Sequence, residues 1–476
     1  MGTCVPRGGN LSVIEIKNPE GTELLGEVEL TDPADVAGIV ARAVRARRAW
    51  TEIPIGRRAD LLEAAASLLE PEVEPLGRLL ASESGKPIGQ ATNEVRGGLH
   101  FLRGNAAEGR RLVGRMLPSE SNARSEWDLA FTRREPLGVV AAILPFNFPV
   151  ELFIEKCGAA LVGGNAVVVK PPLEDPLVVE RFRQALIEVG VPADVIAAVH
   201  GDAAVGAALA EADGVDAISL TGSTQAGIAV ARATAHKLPF LHLELGGNNA
   251  CLVLEDADID LVASEILRGR ILMNGQACSA SKRVIVHRSL HDELAERMVA
   301  AVEAQKVGAA VEAETTIGPL IHEGAATRVA SQVANARNQG AEIAAGTGES
   351  DGAYFAPTLL AGVPYTADIA ADDEIFGPVF NLIPVDSEEQ AIEVANSSSF
   401  GLMASVFTAD YRRALVVAER LESGGVVING TDNYRPPEFP FGGVKLSGRG
   451  REGIGYTLEQ LTREKPIVFR GFRERR

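Results

Sequence analysis

Cysteine is scarce in this chain, with four in 476 residues. Cys4, Cys157, Cys251 and Cys278 show no Cys-x-x-Cys spacing. That excludes a disulfide framework and argues against zinc, so no metal is expected. A reducing, cytoplasmic setting is the expectation that follows. Basic charge is also short. Lysine and arginine total 46 against 64 acids, for a net charge of −18. Such a surface lacks the basic face that nucleic acid requires. No apolar run reaches the ~18 residues of a membrane span. The start, "MGTCVPRGGN", has no apolar signal core, and Pro6 breaks the myristoylation pattern. Aromatics are only 5%.

What the chain does have is length and an alternating rhythm. At 476 residues it exceeds one ordinary core, so two or three domains are expected. Residues 33 to 85 carry apolar positions at helical spacing, opened by Asp32-Pro33 and stopped at Gly85 and Pro87. From residue 135, short apolar runs such as "GVVAAIL", "AVVVK" and "VDAISLT" alternate with helical segments. This is the βαβ pattern of a parallel doubly wound sheet, which binds ligands where its strands end. A second α/β half follows "LHLELGGNNACLVLED" and closes with "GGVVING" and "FPFGGVKLSGRGREG". The tail "EKPIVFRGF" reads as a strand with no partner in its neighbourhood, a candidate for pairing with another subunit.

Several residues are of the types that do chemistry. Cys278 sits in a glycine-bearing loop, "NGQACSA". A thiol there is either a small buried hydrophobe or a nucleophile whose proton must first be removed. Glu244, in "LHLELGGNN", ends an apolar strand. Burial would raise its pKa toward that of a general base, although it could equally cap the glycine turn. Asn147, in "PFNFP", is a neutral donor suited to an oxyanion, or an Asx-turn residue. Lys170 ends a parallel strand, where a cofactor's ribose or phosphate would lie. "TGSTQAG" is a glycine-serine turn whose backbone can cradle pyrophosphate, although it is not Gly-x-Gly-x-x-Gly.

In order the chain reads PFNFP, VVVKP, LTGST, LELGG, GQACSA, EIFGPVF, GLMASVFT and PFGGVKLSG. Together these resemble the aldehyde dehydrogenase superfamily over nearly the whole chain, and the polar substrate-side residues Glu151, Glu155 and Arg435 resemble its lactaldehyde and non-phosphorylating glyceraldehyde-3-phosphate dehydrogenase branch. The resemblance implies two Rossmann-type α/β domains plus a small β oligomerisation arm. It places a cofactor domain at 1–117 and 135–245, a catalytic domain at 246–436, and arm and tail at 118–134 and 437–476. It implies Cys278 as nucleophile, Asn147 with the Cys278 amide as oxyanion donors, Glu244 as base and Lys156 in support. It also implies that NAD+ or NADP+ lies along Phe146, Lys170, Gly222, Ser223, Glu374 and Phe376. A homodimer or homotetramer is the expected assembly.

Two departures matter. Leu173 replaces the glutamate that many members place on the adenosine ribose, so NADP+ becomes acceptable, while Glu174 and Asp175 follow and could still repel its phosphate. The substrate side, with Glu151, Glu155, Arg435 and Phe441, is more polar than that of members acting on apolar aldehydes. A short polar or anionic aldehyde follows if Arg435 is free to bind it. Pairing of Arg435 with Glu438 or with one of the other glutamates is the alternative. A CoA-acylating semialdehyde dehydrogenase, a broad-specificity enzyme for apolar aldehydes and a non-catalytic scaffold are the competing readings. The intact Cys278, Glu244 and Asn147 weigh against the first and last.

Overall fold

The computed structural model describes residues 4–7 and 11–473. The Met1-Gly2 start and the last residues of the 437–476 tail lie outside them. Asp32 opens the helical region as read, its carboxylate accepting from Ala34 N at 2.8 Å. Helices Val36–Glu52, Ile55–Leu69 and Val73–Ser84 follow.

Two largely parallel sheets make up the body of the molecule. In the first, the strands run in spatial order Ile196–Ala198, Ala166–Lys170, Val139–Ile143, Ala217–Thr221 and Phe240–Glu244. The order reverses between Val139–Ile143 and Ala217–Thr221, so a crevice opens beyond their carboxyl ends. Asn147 follows the first of these strands and Gly222 the second. The four residues 166–169 are all buried, as expected for strands covered on both faces.

The second sheet has seven strands. Ala250–Val253 pairs in parallel with Arg283–His287 on one side and Met403–Phe407 on the other. Only its edge strand, Glu342–Ala345, runs antiparallel. Both halves are thus of the doubly wound type expected.

Three features differ from the sequence reading. Helix Ile88–Arg111 was not anticipated, because glycines at 89, 97, 98, 104 and 109 mask its pattern. All but Gly89 serve close packing. A Cβ on Gly98 would lie 2.6 Å from Val150, and one on Gly109 would lie 2.2 Å from Val162.

The tail strand, Thr462–Phe469, has a partner in its own chain that the sequence reading did not find. It pairs antiparallel with Leu129–Pro136 of its own chain over eight residues. That partner lies over 300 residues away, which no local pattern reveals.

Residues 437–455 touch both halves, since Val444–Lys445 pairs with Phe400–Gly401 of the second. Gly448–Arg449 adds to the edge of the first sheet beside Glu244 and Leu243. Gly448 is needed there, because a Cβ would meet Leu243 O at 2.0 Å.

Candidate active site

The Cys278 loop is held from three sides. Met273 and Asn274 adopt left-handed backbone (φ 50° and 56°), a conformation that ordinary residues avoid. Buried Asn274 sustains it, donating to Gly85 O at 2.8 Å and Pro319 O at 3.0 Å and accepting from Gly318 N at 2.8 Å. Gly275 follows at φ +79°, and a Cβ there would lie 2.2 Å from the Gly377 backbone. The glycine of NGQACSA therefore exists to let the loop touch the EIFGPVF turn.

Cys278 emerges half-buried from this loop. Its carbonyl accepts from Lys282 Nζ and Asn249 Nδ2, both at 2.7 Å. Its thiol faces a cavity of about 300 Å³ that Phe146, Asn147, Gly222, Ser223, Glu374 and Phe376 also line. Burial raises the thiol pKa above its ordinary value, while the charges of Lys282 and Arg435 pull it back.

Asn147 is buried in its turn. Its amide nitrogen donates to Gln276 O at 3.0 Å, and its side-chain oxygen accepts from Phe148 N at 3.1 Å. Lys86 Nζ donates to the Asn147 carbonyl at 2.7 Å and pairs with buried Glu94. Glu94 in turn accepts from Val150 N at 3.0 Å. One amide hydrogen of Asn147 thus remains for the cavity, its direction set from behind.

Glu244 ends its strand, 2% exposed. Neither of its carboxylate oxygens has a hydrogen-bond partner among the described residues. Burial drives its pKa well above the ordinary value, and the charge of Glu452 adds to the rise. An unpartnered buried carboxyl is costly to folding, so its place needs a use.

Lys156 and Glu155 lie on a one-turn π-helix, Ile154–Gly158, within the helix after PFNFP. Such bulges re-aim side chains and recur at functional sites. Lys156 forms a buried ion pair with Glu452. Arg435 donates to Glu155 at 2.6 Å and to Glu452 at 3.0 Å, and its guanidinium lies 4.1 Å from the Phe441 ring centroid. Arg435 is therefore not a free anion receptor. It takes the pairing alternative with Glu155, whereas Glu438 meets His100 at 2.9 Å. Glu151 is partly buried, and burial with the Glu94 charge raises it to about 7. Glu452, central to this network, was missed by the sequence reading because it sits in a glycine-rich run with no chemical signature.

The cofactor side fits an NAD(P) group. Ser223 caps helix Thr224–Thr234 by accepting from Ala226 N at 3.2 Å, which turns the helix N-terminus toward the cavity. A Cβ on Gly222 would find nothing nearer than 3.6 Å, so that backbone stands open. Lys170 Nζ makes one long bond, 3.3 Å to Pro171 O, and keeps donors for a ribose. Glu374 is half held by Lys282 at 2.7 Å. Phe376 stands edge-on to Phe146, with centroids 6.1 Å apart. Leu173 is half-buried and Glu174 exposed. Asp175, read above as a second guard against a phosphate, is fully buried with no hydrogen-bond partner among the described residues. It cannot face a ligand, and burial raises its pKa well above the ordinary value.

A profile of the aldehyde dehydrogenase family matches residues 7–467. The chain belongs to the aldehyde dehydrogenase family. It is 37% identical to the NADP-dependent glyceraldehyde-3-phosphate dehydrogenase of Streptococcus equinus, over 96% of this chain and 95% of that one. It is 35% identical to the 3-sulfolactaldehyde dehydrogenase of Priestia aryabhattai, over 96% and 94%. The crystal structure of the NADP-dependent glyceraldehyde-3-phosphate dehydrogenase of Bacillus halodurans C-125, complexed with NADP, superposes with a TM-score of 0.93 at 37% identity, covering 96% of each chain. As a member of this family the chain is an NAD(P)-dependent oxidoreductase acting on aldehydes. No described helix is long and apolar enough to cross a membrane.

Proposed function

We propose that this aldehyde dehydrogenase oxidises a short polar aldehyde to its carboxylate through a thioester on Cys278. The observation that carries the reading is the Cys278 thiol on a cavity shared with the Asn147 amide and with Leu245 and Gly246, the two residues that follow the unpartnered, buried Glu244. An NAD(P) cofactor held along Lys170, Gly222, Ser223 and Glu374 supplies the hydride acceptor.

Glu244 takes the thiol proton through a water, and the Cys278 sulfur attacks the aldehyde carbon. Asn147 Nδ2 and the Cys278 N–H hold the oxyanion of the thiohemiacetal. Loss of hydride from the former aldehyde carbon leaves the thioester. Glu244 passes the thiol proton to solvent and then deprotonates a water that attacks the acyl carbon. The carboxylate departs and Cys278 is freed. Burial raises the Glu244 carboxyl above its ordinary value, the direction that a general base needs.

The charged cluster on the substrate side supports a small oxygenated substrate. Arg435 is hydrogen-bonded to Glu155 and acts on Glu151 through its charge, so it is not a lone cation. The similar proteins named for glyceraldehyde 3-phosphate and sulfolactaldehyde agree with that class. With Leu173 in place of an acid and Asp175 turned inward, NADP+ is accepted as well as NAD+. A cytoplasmic homo-oligomer remains the expected form.

The test is reduced-nicotinamide absorbance with both cofactors against hexanal, benzaldehyde, lactaldehyde, succinate semialdehyde and glyceraldehyde 3-phosphate. Higher kcat/KM on the last three supports the reading. A preference for the first two overturns the substrate class. Product formation only with CoA would move the chain to the acylating alternative.

A further inference from the structure

A second cavity, of about 770 Å³, lies at the other end of the first sheet. It is lined by Leu137, just before strand Val139–Ile143, and by Gly163, just before Ala166–Lys170. That is the end of the sheet opposite Asn147 and Gly222. Six arginines line it: Arg47, Arg48, Arg58, Arg133, Arg134 and Arg463. They arrive from three separate regions of the chain. The lining acids are Glu52 and Glu135, and Glu135 already pairs with Lys465 at 3.2 Å.

The arginines are held largely without being neutralised. Buried Arg58 donates to the carbonyls of Val162, at 3.0 Å, and Ile53. Arg134 donates to Thr462 Oγ1 and to the Thr462 carbonyl, at 3.0 and 3.1 Å. Carbonyls and hydroxyls fix a guanidinium in place but leave its charge. Arg47 is 3.5 Å from Asp216. Arg48, Arg133 and Arg463 have no ion pair among the described residues. On a chain of net charge −18, six like charges around one concave space oppose folding unless something of opposite sign enters. Planar guanidinium forks match phosphoryl oxygens better than a single carboxylate.

We propose that this cavity binds a small, multiply charged phosphoryl anion, at a site separate from the catalytic crevice. A nucleotide, a sugar phosphate and an inorganic polyphosphate share that chemistry.

The test is calorimetric titration of the full chain at 0.15 M salt with ADP, glucose 6-phosphate and tripolyphosphate. Each titration is run without and with saturating NAD+, so that binding in the cofactor crevice, which NAD+ removes, is told from binding in the arginine cavity, which the arginine variants remove. The expected result is one saturable site per chain for at least one probe, the preferred probe identifying the source. Affinity falls at least ~10-fold in Arg48→Glu and in the Arg133→Glu/Arg463→Glu double variant, loss of one or two charge-assisted contacts being worth that much. All three positions are exposed, so the variants fold and keep their basal aldehyde oxidation. Arg42→Glu, on the same helix as Arg48 but paired with Asp194, leaves affinity unchanged. Absence of saturable binding, or equal binding in the variants, overturns the proposal. So does a wild-type oligomer that binds no probe and dissociates in Arg48→Glu, because the cavity would then hold carboxylates of a second copy.

Discussion

Arg435 is bonded to Glu155 at 2.6 Å, and the same nitrogen also reaches Glu452 at 3.0 Å. One guanidinium between two buried carboxylates leaves one of them short of positive charge. Burial opposes ionisation of Glu452, but Lys156 and Arg435 outweigh it and hold its pKa at about 2. Glu155, where burial outweighs Arg435, rises to about 7. The proton of the network therefore rests on Glu155 below neutral pH.

Removing the arginine tests this arrangement. Arg435→Ala strands Glu452 without its second partner, and breaking a buried pair costs about 3–5 kcal/mol. Denaturant unfolding of the variant reads that loss. KM is expected to rise alike for anionic and neutral aldehydes. A KM rise confined to anionic aldehydes, with stability intact, would show instead that Arg435 grips the substrate.

Stability follows pH with opposite signs at the two acids. Glu155 sits above the ordinary 4.5 when folded. Its contribution is whole below 4.5 and is lost as pH rises through about 7. Glu452 sits below 4.5, so its contribution is whole above 4.5 and is lost as pH falls through about 2. Between pH 5 and 8 the melting temperature is expected to fall with rising pH, and Glu155→Gln should flatten that slope. An unchanged slope in the variant would refute the assignment.

Glu244→Gln separates acylation from hydrolysis. With Cys278 intact, one equivalent of reduced cofactor per site should still form, if slowly. Steady turnover should drop ~10²- to 10⁴-fold, the usual weight of a general base. Rapid-mixing absorbance resolves the two phases. Cys278→Ala should show neither, and full turnover in either variant would end the proposed mechanism.

Leu173→Glu restores an acid beside the adenosine ribose. The ratio of kcat/KM with NADP+ to that with NAD+ is expected to fall ~10-fold or more, the size of a lost or repelled phosphate contact. Steady-state kinetics with both cofactors measure it. Phosphate discrimination would be traced to Glu174 if the ratio did not move.

Alkylation of Cys278 reports its proton. Because burial keeps the thiol above its ordinary pKa, the rate should climb throughout pH 7 to 9 without levelling. A plateau near pH 7 would mean that Lys282 and Arg435 outweigh burial.

Much of this was readable in the linear chain. Buried runs such as 166–169 announce covered strands, since apolar content and period are local properties. Cys278, Asn147, Glu244 and the Gly222-Ser223 turn lie in short motifs, each at the end of a strand or helix, so their convergence followed from sheet topology. Helix Ile88–Arg111 escaped because its glycines answer to neighbours such as Val150 and Val162 and not to helix propensity.

By itself the sequence determined the two α/β halves, the candidates for nucleophile, base and oxyanion donor, and the absence of an acid at Leu173. The tertiary structure alone decided which charges meet. It brought Glu452 to Lys156 across 296 residues, spent Arg435 on carboxylates, turned Asp175 inward, paired the tail strand within the chain and gathered six arginines around one cavity. Periodicity and strand-end motifs are written within a few residues of chain. Charge pairing and burial depend on segments far apart in sequence, and only the folded path makes them neighbours.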